Sequence, residues 1–271
     1  TNGVHAPTWT DPMLAALAAE KLGTGDTTGC DWNSKSVTDA DLWAVRGRMR
    51  EQLVTDARRR VSAAWQEQNP GVGAPAWYSE LLDPTVLTIG FARRVPTYKR
   101  LTLMLHDEAR LRSLLLHPER PIQIVIAGKS HPADDEGKRL IQRLVEFASE
   151  PEVRKRIVFL PNYDMVLGRM LTRGCDVWLN NPRRPLEASG TSGMKAAMNG
   201  VLNLSILDGW WPEGCQHGVT GWHIGVPDPT EDPFDESKYP AMDARDRAAL
   251  YDTLEHEVLP RFADRAAWLA M

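Results

Sequence analysis

VWLNNPRRPLEASGTSGMKAAMNGVLNLSI, residues 177–206, is the stretch on which the architecture turns. An apolar run over 177–179 is followed by a polar, proline-bearing loop, a turn of small residues, a helical stretch over 191–198 and a second apolar run over 201–206. Strand, loop, helix, strand is a crossover unit, and crossovers join parallel strands. The same alternation extends upstream. Strand-like runs lie at 86–91, 122–127 and 157–160, with helical patterns near 98–115, 135–148 and 165–172 between them. The expected fold is therefore α/β, a parallel sheet covered by helices on both faces. Ligands on such sheets sit beyond the carboxyl ends of the strands.

The residues placed at those ends carry the chemistry. Gly190, Thr191, Ser192 and Gly193 put little side chain in the way, so backbone N–H groups there can close on a phosphate at the start of the following helix. Lys195 lies on the first turn of that helix. Its ammonium can pair with the phosphate, or its amine can form a Schiff base with an aldehyde on a phosphorylated ligand. The spacing does not match the Gly-x4-Gly-Lys-Ser/Thr P-loop. Arg93, Arg94, Lys99 and Arg100 follow the first strand, supplying cations suited to phosphate oxygens. Gly128 and Lys129 follow the second strand, and Asn162 and Tyr163 the third.

The remainder of the chain bounds the reading. The 271 residues are 42% hydrophobic and 25% charged with net charge −4, a globular composition with no acidic or basic block. Neither nucleic acid nor a membrane is expected as partner, and no run reaches the apolar length of a bilayer span. Cys30, Cys175 and Cys215 are widely spaced and odd in number, which points to a reducing, cytoplasmic setting and to no metal site. Asn203-Leu204-Ser205 fits a glycosylation sequon but falls in an expected buried strand. Residues 1–80 read as a helical segment. Asp11 caps a helix to about Leu22, and Asp39 or Asp41 starts a long one toward Gln68 with Arg58, Arg59 and Arg60 on its solvated side. Residues 70–75 read as a linker, 81–271 as the sheet domain, 228–239 as a loop and 243–259 as a C-terminal helix.

NNPRRPLEASGTSGMKAAMNGVLNLSILDGWW (180–211) resembles the cofactor segment of the α-glucan phosphorylases, the glycogen, starch and maltodextrin phosphorylase family, and is closest to its bacterial branch. FARRVPTYKR (91–100), IVIAGKSHPAD (124–134) and IVFLPNYDM (157–165) resemble the same family in the same order, as do TNGVHAPTW at the start and GWHIG at 221–225. The resemblance implies a GT-B arrangement, two Rossmann-like domains facing across a cleft, of which this chain is the second, C-terminal one. It implies pyridoxal 5'-phosphate on Lys195, and phosphorolysis of an α-1,4-glucan by inorganic phosphate to give glucose 1-phosphate.

By residue-by-residue resemblance, Arg94 grips the substrate phosphate, while Arg93 and Lys99 serve the cofactor phosphate. Tyr163 packs by the cofactor ring, and Gly190, Thr191 and Ser192 form its cradle. Catalytic roles fall to Lys195, Arg94 and Lys99. Glu187 is the expected sugar ligand, helped by backbone N–H groups of Ala188, Ser189 and Gly190. Its alternative is an ion pair with Arg183 or Arg184. Asp164 departs from the basic residue that animal and plant members carry there, and receives no role. Arg100 is expected on the outer face of a helix. Lys129, His131 and His5 receive no step, and Asp208, Trp210 and Trp211 are expected in the cleft wall or the core. Without its partner domain the chain is expected to be inactive, and the parent protein to be a homodimer. Two other readings stay open: a nucleotide-sugar glycosyltransferase of the same architecture without pyridoxal phosphate, and a fragment that binds cofactor or phosphate without turnover.

Overall fold

A computed structural model describes residues 3–94, 97–229 and 232–271. Its helices are α1 (Ala6–Trp9), α2 (Pro12–Leu22), α3 (Asp39–Gln68), α4 (Glu108–Leu115), α5 (Asp135–Ala148), α6 (Met165–Gly174), α7 (Thr191–Ala197), α8 (Trp211–Gly214), α9 (Tyr239–Thr253), α10 (Leu259–Ala263) and α11 (Arg265–Leu269). The strands are β1 (Leu87–Arg94), β2 (Ile122–Lys129), β3 (Ile157–Leu160), β4 (Val177–Asn180), β5 (Leu202–Ile206) and β6 (Gly221–Ile224). They form one sheet in the order β3-β2-β1-β4-β5-β6, with every neighbouring pair parallel. This is the doubly wound, Rossmann-like α/β order. The order in which strands are added reverses between β1 and β4, where a crevice opens for ligands.

The strands read as unbroken apolar runs because both faces are covered. In β2, Ile122 to Gly128 are all buried. One face packs under α4, α5 and the C-terminal helices around Ile89, Phe91, Ile124 and Tyr251. The other packs under α3 and α6 around Leu53, Ala57, Val125, Leu171 and Trp178. Trp178 is fully buried, and its indole N–H donates to Ser192 Oγ at 3.2 Å, so a core aromatic also fixes the first turn of α7. Asn203, the sequon residue, is buried in β5 and donates to Gly193 O at 3.1 Å, out of reach of any modification.

The helix starts follow local chemistry. Asp11 caps α2 by accepting Met13 N–H at 2.8 Å. The cap of α3 is Thr38, one residue before the expected start, and Asp41 completes a capping box with it. Arg58 of α3 is not on a solvated side; it donates to the carbonyls of Leu81 and Leu82 at 2.8 Å each. The expected helix over 98–115 is only α4, preceded by 3-10 turns at Thr97–Lys99 and Met104–Asp107. The reason lies at Arg100, whose φ of +50° breaks any helix. The expected helix over 243–259 begins earlier, at Tyr239, and passes through a π turn, Leu254–Val258, before α10. Pro260 has no N–H to continue the ordinary ladder.

Candidate phosphate and cofactor cleft

Three segments at the carboxyl edge of the sheet meet in an open cleft of about 700 Å³. The end of β1 and the following turn bring Arg93, Tyr98 and Lys99; the loop before α7 and the start of that helix bring residues 187–192; the end of β2 and the loop after it bring Lys129, His131 and Asp134. Tyr163 and Lys195 complete the lining. The expected residues Arg93, Lys99, Tyr163, Glu187, Ala188, Ser189, Gly190, Thr191, Ser192 and Lys195 are therefore brought together. Arg94 ends β1 opposite Lys129 in the register, and its side chain lies outside the described residues.

The turn over 187–190 is braced from behind. Asp208 Oδ2 accepts Glu187 N–H at 2.9 Å, and Trp210 N–H donates to Ser189 O at 2.9 Å. Burial raises the Asp208 carboxyl above the usual aspartate range, and the neighbouring Glu187 charge adds to the rise. Gly190 holds φ +79° at the start of α7, a conformation costly to any residue with a Cβ. At Gly193 an added Cβ would stand 2.6 Å from Asn203 Oδ1 and 3.0 Å from Trp210 Nε1. These constraints leave the N–H groups of Ala188, Ser189, Gly190, Thr191 and Ser192 without an acceptor among the described residues. With only seven residues in α7, these N–H groups themselves, more than a long helix dipole, define the anion site.

The cations face this array. Glu187 pairs with Arg93 Nη1 and Lys99 Nζ, and not with Arg183 or Arg184, which pair with Asp243 and Asp246. Burial alone would raise the Glu187 carboxyl, yet Arg93 and Lys99 more than reverse this and hold it below the usual glutamate range. Arg93 is 8% exposed, and its Nε and Nη2 are buried with no partner among the described residues. A buried guanidinium with two idle donor nitrogens is costly unless an anion meets it. The described residues thus fit a phosphate group: idle main-chain donors on one side, idle arginine donors on the other.

Lys195 is half-buried, and burial lowers its ammonium pKa below the ordinary lysine value. A larger neutral fraction makes its amine a better nucleophile toward an aldehyde. Its Nζ lies 3.9 Å from the centroid of the Trp9 ring. Trp9 is a contact of Lys195 that the sequence reading did not single out, although it stands in one of the quoted segments. It arrives there because Arg173 gathers the carbonyls of Thr8, Trp9 and Thr10, while Asn199 donates to Trp9 O at 3.0 Å and accepts Asp11 N–H at 2.8 Å.

Other expectations find structural explanations. Asp164 caps α6 by accepting Leu167 N–H at 2.7 Å, a role a basic residue cannot fill. Arg100 is corrected from outer face to interior: it is 5% exposed, donating to Asn181 O, Pro182 O, Asp243 and Asp246. His131 is exposed at the rim and accepts Ala133 N–H, and His5 contacts Thr8 Oγ1 at 2.8 Å on the surface. Trp211 is core, its indole N–H on Trp222 O, while Trp210 backs Gly190 and Gly193. No described helix is long and apolar enough to cross a membrane.

A parallel doubly wound sheet whose switch point opens into a cleft lined by Arg93, Lys99 and Lys195 defines the class, a Rossmann-like α/β domain, and comparison specifies which. Residues 79–213 match the family model for carbohydrate phosphorylases, and the chain belongs to that family. It is 52% identical over 267 residues to glycogen phosphorylase of Mycobacterium tuberculosis, covering 98% of this chain and 30% of that protein. It is 42% identical to glycogen phosphorylase of Aquifex aeolicus, covering all of this chain and 39% of the relative. Maltodextrin phosphorylase of Thermococcus litoralis is 41% identical, again over the whole chain and 32% of the relative. The chain thus spans about a third of the length of these curated relatives.

Proposed function

We propose that this chain is the cofactor-bearing part of an α-1,4-glucan phosphorylase, an enzyme that cleaves glucan with inorganic phosphate and releases glucose 1-phosphate. The observation that carries the reading is the meeting of Lys195, whose ammonium pKa burial lowers, with five backbone N–H groups and two Arg93 nitrogens that have no partner among the described residues. Lys195 would hold pyridoxal 5'-phosphate through its aldehyde carbon, with Thr191, Ser192, Gly190, Arg93 and Lys99 around its phosphate and Tyr163 and Trp9 beside its ring. When bound, the cofactor supplies a phosphate group able to exchange a proton with the substrate phosphate.

The chain's own residues do the positioning. Two phosphates side by side repel strongly in a low-dielectric cleft, so Arg93, Lys99 and, by resemblance, Arg94 are needed to hold them together. Arg93 can donate from Nε and Nη2 to a phosphate while Nη1 stays on Glu187. Glu187, locked as a carboxylate, remains an acceptor for a glucose hydroxyl, with Ala188, Ser189 and Gly190 N–H groups adjacent. A nucleotide-sugar glycosyltransferase has no use for a half-buried lysine at this point.

Catalysis requires positioning to within about an ångström, and we place the acceptor-glucan contacts in a facing domain, so the isolated chain is expected to be inactive. The same reading makes the parent a cytoplasmic homodimer. The three thiols of this chain, Cys30, Cys175 and Cys215, are unpaired, which fits a reducing compartment. The test is to incubate the chain with pyridoxal 5'-phosphate, reduce with borohydride and map the label by peptide mass. Label on Lys195, abolished in Lys195→Ala, is the expected result. Label spread over surface lysines, or none, sinks the reading.

A further inference from the structure

Helix α9 lies outside every motif of the sequence reading, yet two of its carboxylates reach the loops that carry the cleft residues. Asp246 accepts Arg100 Nη1 on Oδ2 and Arg184 Nη2 on Oδ1, both at 2.8 Å. Asp243 accepts Arg100 Nη1 at 3.0 Å and Arg183 Nη2 at 2.6 Å. The other nitrogens of Arg100 donate to Asn181 O at 2.8 Å and Pro182 O at 2.9 Å. Arg183 N–H donates to Tyr98 O at 2.8 Å, closing the link between the two loops. Arg100, Arg184 and Asp246 are almost excluded from solvent. The left-handed backbone at Arg100 is strained for a residue with a side chain, and persists where surrounding contacts over-determine it. Lys99 precedes Arg100 directly, and Glu187 follows three residues after Arg184.

We propose that Asp243 and Asp246 are positioning residues for the cleft: acting through Arg100, Arg183 and Arg184, they hold the Lys99 turn and the Glu187 loop at a fixed spacing. The proposal rests on reading the cleft as a phosphate site. Its sign is distinctive. Three guanidiniums against two carboxylates leave one excess positive charge, and Asp246→Asn adds another. Charge attraction alone then predicts tighter anion binding. Positioning predicts weaker binding, because an asparagine offers one acceptor oxygen where two guanidiniums need one each.

The experiment uses the 271-residue chain loaded with pyridoxal 5'-phosphate, comparing wild type, Asp246→Asn and the milder Asp243→Asn. Inorganic phosphate is titrated by calorimetry, and amide exchange is followed in peptides covering 97–100 and 181–190. Asp246→Asn is expected to weaken phosphate binding about tenfold and speed exchange in both peptides, with the label on Lys195 retained. Asp243→Asn shifts both readouts the same way by less. Unchanged or tighter phosphate binding overturns the proposal, even where thermal stability falls. If the wild-type chain takes up neither cofactor nor phosphate, the cleft reading fails by itself; unaltered exchange in the variants then overturns the clamp.

Discussion

Arg93 and Arg100 stand seven residues apart in one segment, and both are buried, at 8% and 5% exposure. They are nonetheless opposites. Arg100 directs its three nitrogens to four protein oxygens. Arg93 directs one to Glu187 and leaves two without a partner among the described residues. A guanidinium with a partner on every nitrogen holds structure in place. One with unmatched donors at the floor of a cleft is arranged for an anion that arrives from outside. Two unmatched nitrogens at the cleft set Arg93 apart, whereas Arg183 and Arg184, paired with the α9 carboxylates, each leave one buried nitrogen unmatched.

The contrast breaks most visibly under substitution. Arg100→Met should cost about 3 kcal/mol of stability, read from the denaturant midpoint, because it uncouples two buried carbonyls and leaves α9 carboxylates short of a partner. Arg93→Met should cost only about 1 kcal/mol, since Lys99 still pairs with Glu187, but should weaken inorganic phosphate binding about tenfold or more by calorimetry. Equal stability losses would erase the distinction between the two residues.

A smaller effect sharpens the contrast from the carboxylate side. Because its folded-state pKa is depressed, Glu187 adds stability that is present above the ordinary glutamate pKa of about 4.3 and is lost as pH falls through the depressed value. Glu187→Gln should therefore flatten that part of the acid limb in a stability-versus-pH series, and an unchanged limb would show that the pair with Arg93 and Lys99 contributes little. The smallest expected effect lies at Trp9. Burial is what lowers the Lys195 pKa, so Trp9→Ala should move the pH midpoint of borohydride-trapped cofactor capture upward, toward that of surface lysines. A downward shift would mean that the indole face stabilises the ammonium by more than it desolvates it.

Much of the architecture was legible before any coordinates. The strand runs at 157–160 and 122–127 and the helix over 135–148 reappear as β3, β2 and α5 almost residue for residue. Buried parallel strands are written as continuous apolar runs, and Asp134 caps α5 with a local bond to Gly137 N–H. The short strand β6 went unread because four residues, GWHI, carry too little periodicity to be told from a loop. The apparent helix over 98–115 failed because a single left-handed residue interrupts an otherwise helical composition.

The sequence by itself determined the alternation of strands and helices, the small-residue turn before α7 and the helix that carries Lys195, although Lys195 lies in the last turn of α7 and not, as expected, its first. Only the tertiary structure decided that Trp9 lies against Lys195, that Glu187 chooses Arg93 and Lys99 over its neighbours Arg183 and Arg184, and that Arg100 faces inward. Arg100 and Asp246 are 146 residues apart, and Asn199 and Trp9 190 apart. Such partners are chosen by which charges and carbonyls the folded layers leave buried and unmatched, a condition that exists only once the sheet has brought distant segments together.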